Sequence, residues 1–207
     1  MEINETFTDE FGVEYSADGK RLIKAPDTLV RYNIRPGTEI IGRKAFFNHY
    51  HLKEISFPNS LTTIGKRAFG TCWGINTAIV LPDSVTELEP YCFEFCSHVP
   101  SITFGRNLKV VSAEHFTGCK SLRKIIIPEE NPYLCFLDGV LFNKEMTELI
   151  YYPEGQKRKL YTIPSSVRII REGAFSFCRH LRGVVLSDHV KVVCARAFFK
   201  CKVAFES

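Results

Sequence analysis

The stretch IGRKAFFNHYHL, residues 41–52, returns 23 residues later as IGKRAFGTCWGI, residues 64–75. An aliphatic residue and a glycine open each copy, and Ala and Phe follow at matching offsets: Ile41, Gly42, Ala45 and Phe46, then Ile64, Gly65, Ala68 and Phe69. The phenylalanine recurs at Phe46, Phe69, Phe93, Phe116, Phe175 and Phe198, at intervals of 23 or 24 residues except for one of 59. Five residues before it stands an aliphatic (Ile41, Ile64, Leu88, Val111, Ile170, Val193). Three after it stands a cysteine (Cys72, Cys96, Cys119, Cys178, Cys201), with His49 in the first copy. A period of this length is the mark of a solenoid, whose coils bury their apolar faces only against neighbouring coils.

Within one coil the periodicity changes. His115, Cys119 and Leu122 fall at i, i+4 and i+7, as do Ala68, Cys72 and Ile75, which predicts a short helical turn with these residues on one face. Ile125 and Ile127 then alternate with period two, predicting a brief strand with one face buried. Pro58, Pro82 and Pro128 end the equivalent strands, because proline offers no backbone donor. A second extended piece follows at Leu61–Ile64, Val85–Leu88 and Val190–Val193. The expected fold is an α/β repeat solenoid, rich in β, with a short helical turn in each coil.

Two hairpins interrupt the repetition. Gly139–Phe142, a polar turn at Asn143–Glu145 and Leu149–Pro153 form one. Gly12–Tyr15, a turn at Ala17–Gly19 and Leu22–Pro26 form the other, at a constant offset of 127. The chain is therefore expected to divide into an N-terminal hairpin cap, residues 1–40, and a repeat array, residues 41–207, carrying a hairpin insert at about residues 131–160. Too few residues follow Cys201 for a further coil, although Val203 and Phe205 suit a short closing strand, so this edge is expected to be open to self-association.

The Ile-Gly, Ala-Phe, Cys and Leu pattern, with the strand-Pro-Ser-Val run at Pro82, Ser84 and Val85, resembles the BspA-like leucine-rich repeat family. The segment from Asp138 through Phe142 to Pro153, Ile163 and Pro164 resembles its interspersed hairpin module. The resemblance spans about residues 12–201. It implies a right-handed leucine-rich repeat superhelix, in keeping with the hand of parallel crossovers. It also implies a non-enzymatic binding protein, many such proteins being adhesins displayed on bacterial surfaces.

Composition is that of a folded chain, 45% hydrophobic and 24% charged, and no apolar run approaches the roughly 20 residues of a membrane span. The polar, acidic start from Met1 to Glu10 shows no secretory signal, which points to the cytoplasm; the resemblance points instead to the cell surface or secretion. Asn4, Glu5 and Thr6 form a glycosylation sequon of little weight without such a signal. Five cysteines hold one repeat position and Cys92 replaces the Ala of Ala45, Ala68 and Ala174, so they read as small core residues with reduced thiols. Cys135 and Cys194 are the two expected nearer the surface. His51, His98 and His180 follow the column phenylalanines by five residues, yet no paired zinc-ligand motif surrounds them, and no phosphate loop or nucleophile elbow is present. Neither cofactor, metal nor enzymatic activity is expected.

Residues between buried strand positions must face outward: Lys53, Glu54 and Ser56, Thr77, Ser101 and Thr103, Arg123, Lys124 and Ile126, Arg182 and Val185. Stacking is expected to join them into a continuous ribbon. The second strands add a column of Thr62, Thr86, Lys109, Arg168 and Lys191. Net charge is −3 over residues 1–103 and +7 over 104–207, so the column is neutral at one end and basic at the other. Two functions follow. One is protein binding through the ribbon; the other is electrostatic binding of nucleic acid or another polyanion through Lys109, Arg123, Lys124, Arg168, Arg182 and Lys191. Aromatic residues are not interleaved with the basic set, which counts against base stacking.

Overall fold

The structure is a computed structural model and describes residues 5–206; Asn4 of the sequon lies outside them. The chain opens with β1 (Thr6–Thr8), β2 (Glu14–Ser16) and β3 (Arg21–Lys24). Each of the next coils contributes a first and a second short strand: β4 (Arg31–Asn33) and β5 (Ile40–Ile41), β6 (Glu54–Ser56) and β7 (Thr63–Ile64), β8 (Ile79–Val80) and β9 (Glu87–Leu88). After β10 (Ser101–Thr103) the second strand is missing, and β11 (Lys124–Ile126) leads into β12 (Leu134–Leu137), β13 (Val140–Asn143) and β14 (Glu148–Tyr151). The repetition resumes with β15 (Leu160–Thr162), β16 (Ile169–Ile170), β17 (Gly183–Val185), β18 (Val192–Val193) and β19 (Ala204–Glu206). Coil-to-coil strand pairs are parallel, while the two hairpins pair antiparallel. The architecture is a β-solenoid.

The expected helical turns do not form. Among the described residues the sole helix is one 3-10 turn, Ala113–Phe116, so the α/β description is replaced by an all-β one. The cause is local. Residues two before and two after the column phenylalanine carry positive φ, as at Lys44 and Asn48 (57° and 65°), Arg67 and Thr71 (55° and 64°), and Tyr91 and Phe95 (64° and 56°). Left-handed residues at such short spacing cannot sustain a right-handed helix. The backbone bonds to the next coil instead: Phe46 N–H donates to the Ala68 carbonyl, Phe69 to Cys92, Phe93 to His115 and Phe175 to Ala197, at 2.7–3.1 Å. Ala68, Cys72 and Ile75 are all buried as the spacing requires, but on a corner rather than on a helix.

The column phenylalanines stack through the interior. Ring centroids lie 4.9 Å apart for Phe46 and Phe69, 5.4 Å for Phe69 and Phe93, and 6.4 Å for Phe93 and Phe116, with planes within 10°. Each buried ring contributes about 1.5–3 kcal/mol. Tyr151 continues the stack from Phe116 at 5.4 Å, and Tyr152 passes it to Phe175 at 5.3 Å. The second hairpin thus stands in the core where a coil is missing. Leu141, Ile150 and Tyr151 enter the N-terminal apolar cluster, while Val140, Phe142, Leu149 and Tyr152 enter the C-terminal one. Burial on both faces explains why these strands read as unbroken apolar runs rather than as alternation.

All eight cysteines are unpaired. Cys72, Cys92, Cys96, Cys119 and Cys178 are buried; Cys135 and Cys194 are partly exposed, and so is Cys201. The thiols of Cys72, Cys96 and Cys119 each donate to the carbonyl of the column phenylalanine one coil back, at 2.9, 3.2 and 3.1 Å from Phe46, Phe69 and Phe93. In the first copy His49 Nε2 makes the equivalent contact with the Ala25 carbonyl at 3.1 Å. The position selects a small or flat side chain with a hydrogen to donate. Burial pushes the Cys72 thiol up to about 12 and raises those of Cys92, Cys96 and Cys119 well above their ordinary range, so these cysteines are held as unreactive thiols.

Candidate functional site

The first strands of the coils carry the outward residues, but they do not make one continuous ribbon. Hydrogen bonding divides them into β4–β6, β8–β10–β11 and β15–β17–β19. Lys53, Thr77, Arg123 and Arg182 stand one or two positions before their strands; Glu54, Ser101 and Lys124 begin theirs. The first gap is narrow, since Thr77 Oγ1 donates to the Lys53 carbonyl at 3.3 Å. The second is wide. It lies between β11 and β15, where the hairpin insert enters.

Along this strip the outward side chains are tied rung to rung. Arg31 pairs with Glu54 at 3.4 Å, and Ser56 donates to the Asn33 side chain. Register aligns Val80, Thr103 and Ile126 as one row, and pairs Ser101 with Lys124 beside it. Ser101 and Thr103 are half-buried, whereas Lys53, Glu54, Thr77, Arg123, Lys124 and Arg182 are exposed. Val80 is 59% exposed and Ile126 40%, so the row offers an apolar surface within a polar strip. Sequence reasoning placed Ile126 there and missed Val80, which ends a strand only two residues long.

The second column is less free than its composition suggests. Thr62 Oγ1 donates to the Glu39 carbonyl at 3.0 Å. Arg168 Nη1 folds back on the Ser165 carbonyl at 2.6 Å, and in the first column Arg182 Nη1 does the same to Arg179 at 2.7 Å. Lys109 rests over the Tyr133 ring, 5.3 Å from its centre. Lys191 and Thr86 are exposed. The strands of this side belong to two sheets, one ending at β9 and the other beginning at β12, so Lys109 lies in the break between them. The basic residues are consequently spread over two faces and partly engaged.

At the hairpin the joint is sealed by polar contacts. Asn131, fully buried, donates to the Gly105 and Leu108 carbonyls at 3.2 and 3.0 Å and accepts from Tyr133 and Leu134 N–H, both at 2.9 Å. Arg158 clamps Asp138 of the hairpin tip through two 2.7 Å bonds. Buried Glu154 accepts from Gly118 N–H at 2.6 Å, replacing the carbonyl that the next coil supplies to Asn48, Thr71 and Phe95. Burial raises its carboxyl to about 7. This carboxyl completes a backbone ladder, and among the described residues no nucleophile or second acid is bonded to it.

His51, His98 and His180 are exposed, and among the described residues no group of three or more His, Cys, Asp or Glu side chains gathers as a metal site. Among the same residues no helix is long and apolar enough to cross a membrane.

The chain resembles known proteins of this architecture. A leucine-rich repeat protein from Eubacterium ventriosum superposes with a TM-score of 0.69 at 18% identity, over 94% of this chain and 63% of that one. The pneumococcal vaccine antigen PcpA gives 0.69 at 17% identity, over 99% and 71%. The T. pallidum leucine-rich repeat protein gives 0.51 at 22% identity, over 88% and 68%. The chain thus spans less than two thirds of the Eubacterium protein, and at these identities the likeness is one of fold. No curated protein matches the sequence. Residues 26–137 and 154–205 match the BspA type leucine-rich repeat region in six copies, and the chain belongs to that family.

Proposed function

We propose that the chain is a non-enzymatic protein-binding module whose contact surface is the strip of first strands, used for adhesion to a protein surface. The in-register row of Val80, Thr103 and Ile126, flanked by Ser101 and Lys124, carries the reading, because it sets apolar area inside a polar margin. Lys53, Glu54, Thr77 and Arg123 form its border, Arg182 belongs to the part of the strip beyond the second gap, and Lys109, Arg168 and Lys191 make a neighbouring basic column. The polyanion reading is weaker, since Arg168 and Arg182 spend their guanidinium groups on their own turns.

A photo-crosslinking side chain placed singly at Thr103, Lys124 or Val185 tests the surface, with Thr63, Glu87 and Ile169 on the second strands as the comparison. Adducts with a protein partner should concentrate in the first set and persist at high salt. Equal adducts from both sets, or their loss with salt, would overturn the proposal.

A further inference from the structure

The hairpin insert fills a coil's place in the core but leaves its place in the strip empty. Strand β11 is the edge of its sheet, and β12 is the edge of the sheet that the hairpin begins. Phe104 N–H donates to the Ile126 carbonyl at 2.8 Å, so Ile126 directs its backbone groups toward β10. Alternation turns the N–H and carbonyl of Ile125 to the open side. The next acceptor back along that side, the Arg123 carbonyl, is taken by Gln156 Nε2 at 2.8 Å. On β12 the Tyr133 carbonyl accepts from Lys144 N–H at 2.8 Å, which orients the odd-numbered residues toward β13 and leaves Phe136 facing away from it. Ile125 and Phe136 line one open groove of about 350 Å³, within the roughly 300–1,000 Å³ of ligand-sized clefts.

We propose that this groove binds an extended peptide segment of a partner protein by strand addition, the peptide pairing with the Ile125 edge and setting acidic side chains against Lys124. The inference rests on the protein-binding reading above and names the partner's chemistry. Ile127 and Phe136, both packed against the core, supply apolar contact, while Lys124 and Lys144 give the groove two positive charges against the one of Glu129. Neither lysine is ion-paired among the described residues. Lys144 is nevertheless fixed in place, its Nζ donating to the Asn131 carbonyl at 2.8 Å and to that of Glu129 at 3.2 Å. A peptide alternating apolar and acidic residues meets both features, because successive side chains of a strand point to opposite faces.

The test uses the whole chain and an acetylated, amidated heptapeptide alternating valine and aspartate, followed by calorimetry and by hydrogen exchange. Binding should protect the amide of Ile125. Methylating alternate peptide nitrogens should weaken binding by about tenfold or more, since strand addition depends on those donors. Ile126→Asp should do the same; Lys124→Glu should shift preference toward a valine-lysine peptide; Lys66→Glu, at an exposed position outside the groove, should change nothing. Absence of binding up to about 1 mM peptide, indifference to methylation, or protection confined to other strands would overturn the proposal. So would self-association of the chain that Ile126→Asp abolishes, for then a second copy is the occupant. Because the probe is synthetic, its failure removes the groove alone, and the strip remains to be judged by its cross-links.

Discussion

Replacing Glu154 with Gln should alter how stability depends on pH, and the structure sets the size of the effect. The carboxylate is 6% exposed and accepts from Gly118 N–H at 2.6 Å. Burial dominates over that bond and over the charges of Arg179 and Lys120, and it lifts the carboxyl from 4.5 to about 7. A folded-state value above the unfolded one means that the folded chain keeps its proton longer. Below about pH 4.5 both states are protonated and no penalty exists; the penalty grows as pH rises and is complete above about 7. That interval corresponds to about 3 kcal/mol. Gln keeps a carbonyl for Gly118 and never ionises, so its advantage over the wild type should rise by up to about 3 kcal/mol between about pH 4 and pH 8. His115 has the opposite tendency. Burial lowers it to about 4, so it withdraws stability as pH falls from 6.5, but it is present in both proteins and cancels in the difference. Urea unfolding of the two proteins across that range, followed by circular dichroism, measures the quantity. A difference that stays constant with pH would refute the reasoning.

Phe93→Ala removes a ring stacked between Phe69 and Phe116 and should cost about 3–5 kcal/mol, read as a lower urea midpoint; an unchanged midpoint would take Phe93 out of the core. Asn131→Ala deprives two carbonyls and two N–H groups of their partner at the start of the insert, and a loss of about 2–4 kcal/mol should appear in the same assay. Thiol titration of the unfolded, unreduced protein should find all eight cysteines free, and four or fewer would contradict the donor ladder from Cys72 to Cys119.

The stacked interior was legible because burial imposes a period that side chains must obey. Phe46, Phe69, Phe93 and Phe116 had to repeat, and so did the thiol donors beside them. The corner conformation was not legible, for a physical reason. Spacings of i, i+4 and i+7 bring residues to one side of a helix, and the same residues reach the interior through an alternating corner whose hydrogen bonds run between coils. Lys44, Arg67, Thr71 and Phe177 take left-handed φ without being glycine, so the residue type gives no warning. The single departure is informative. Glu114 is absent from the positive-φ residues, and that coil alone closes a 3-10 turn.

The strip was legible in its composition but not in its continuity, because outward residues are constrained only by solvent. Lys53, Lys124 and Arg182 could be placed facing outward from alternation, yet whether consecutive strands pair depends on what lies between them in the chain. The insert decides it. Tyr151 and Tyr152 carry the aromatic stack across the joint, so the core tolerates the missing coil, while in the strip the Gln156 side chain takes the Arg123 carbonyl and, among the described residues, no strand pairs with the outer edge of β11. Gly155 permits even this approach, since a Cβ there would lie 2.4 Å from the Leu122 carbonyl oxygen. A hairpin buried on both faces therefore preserves the solenoid's interior and opens its surface at one place, and the groove follows from the same exchange that keeps the core intact.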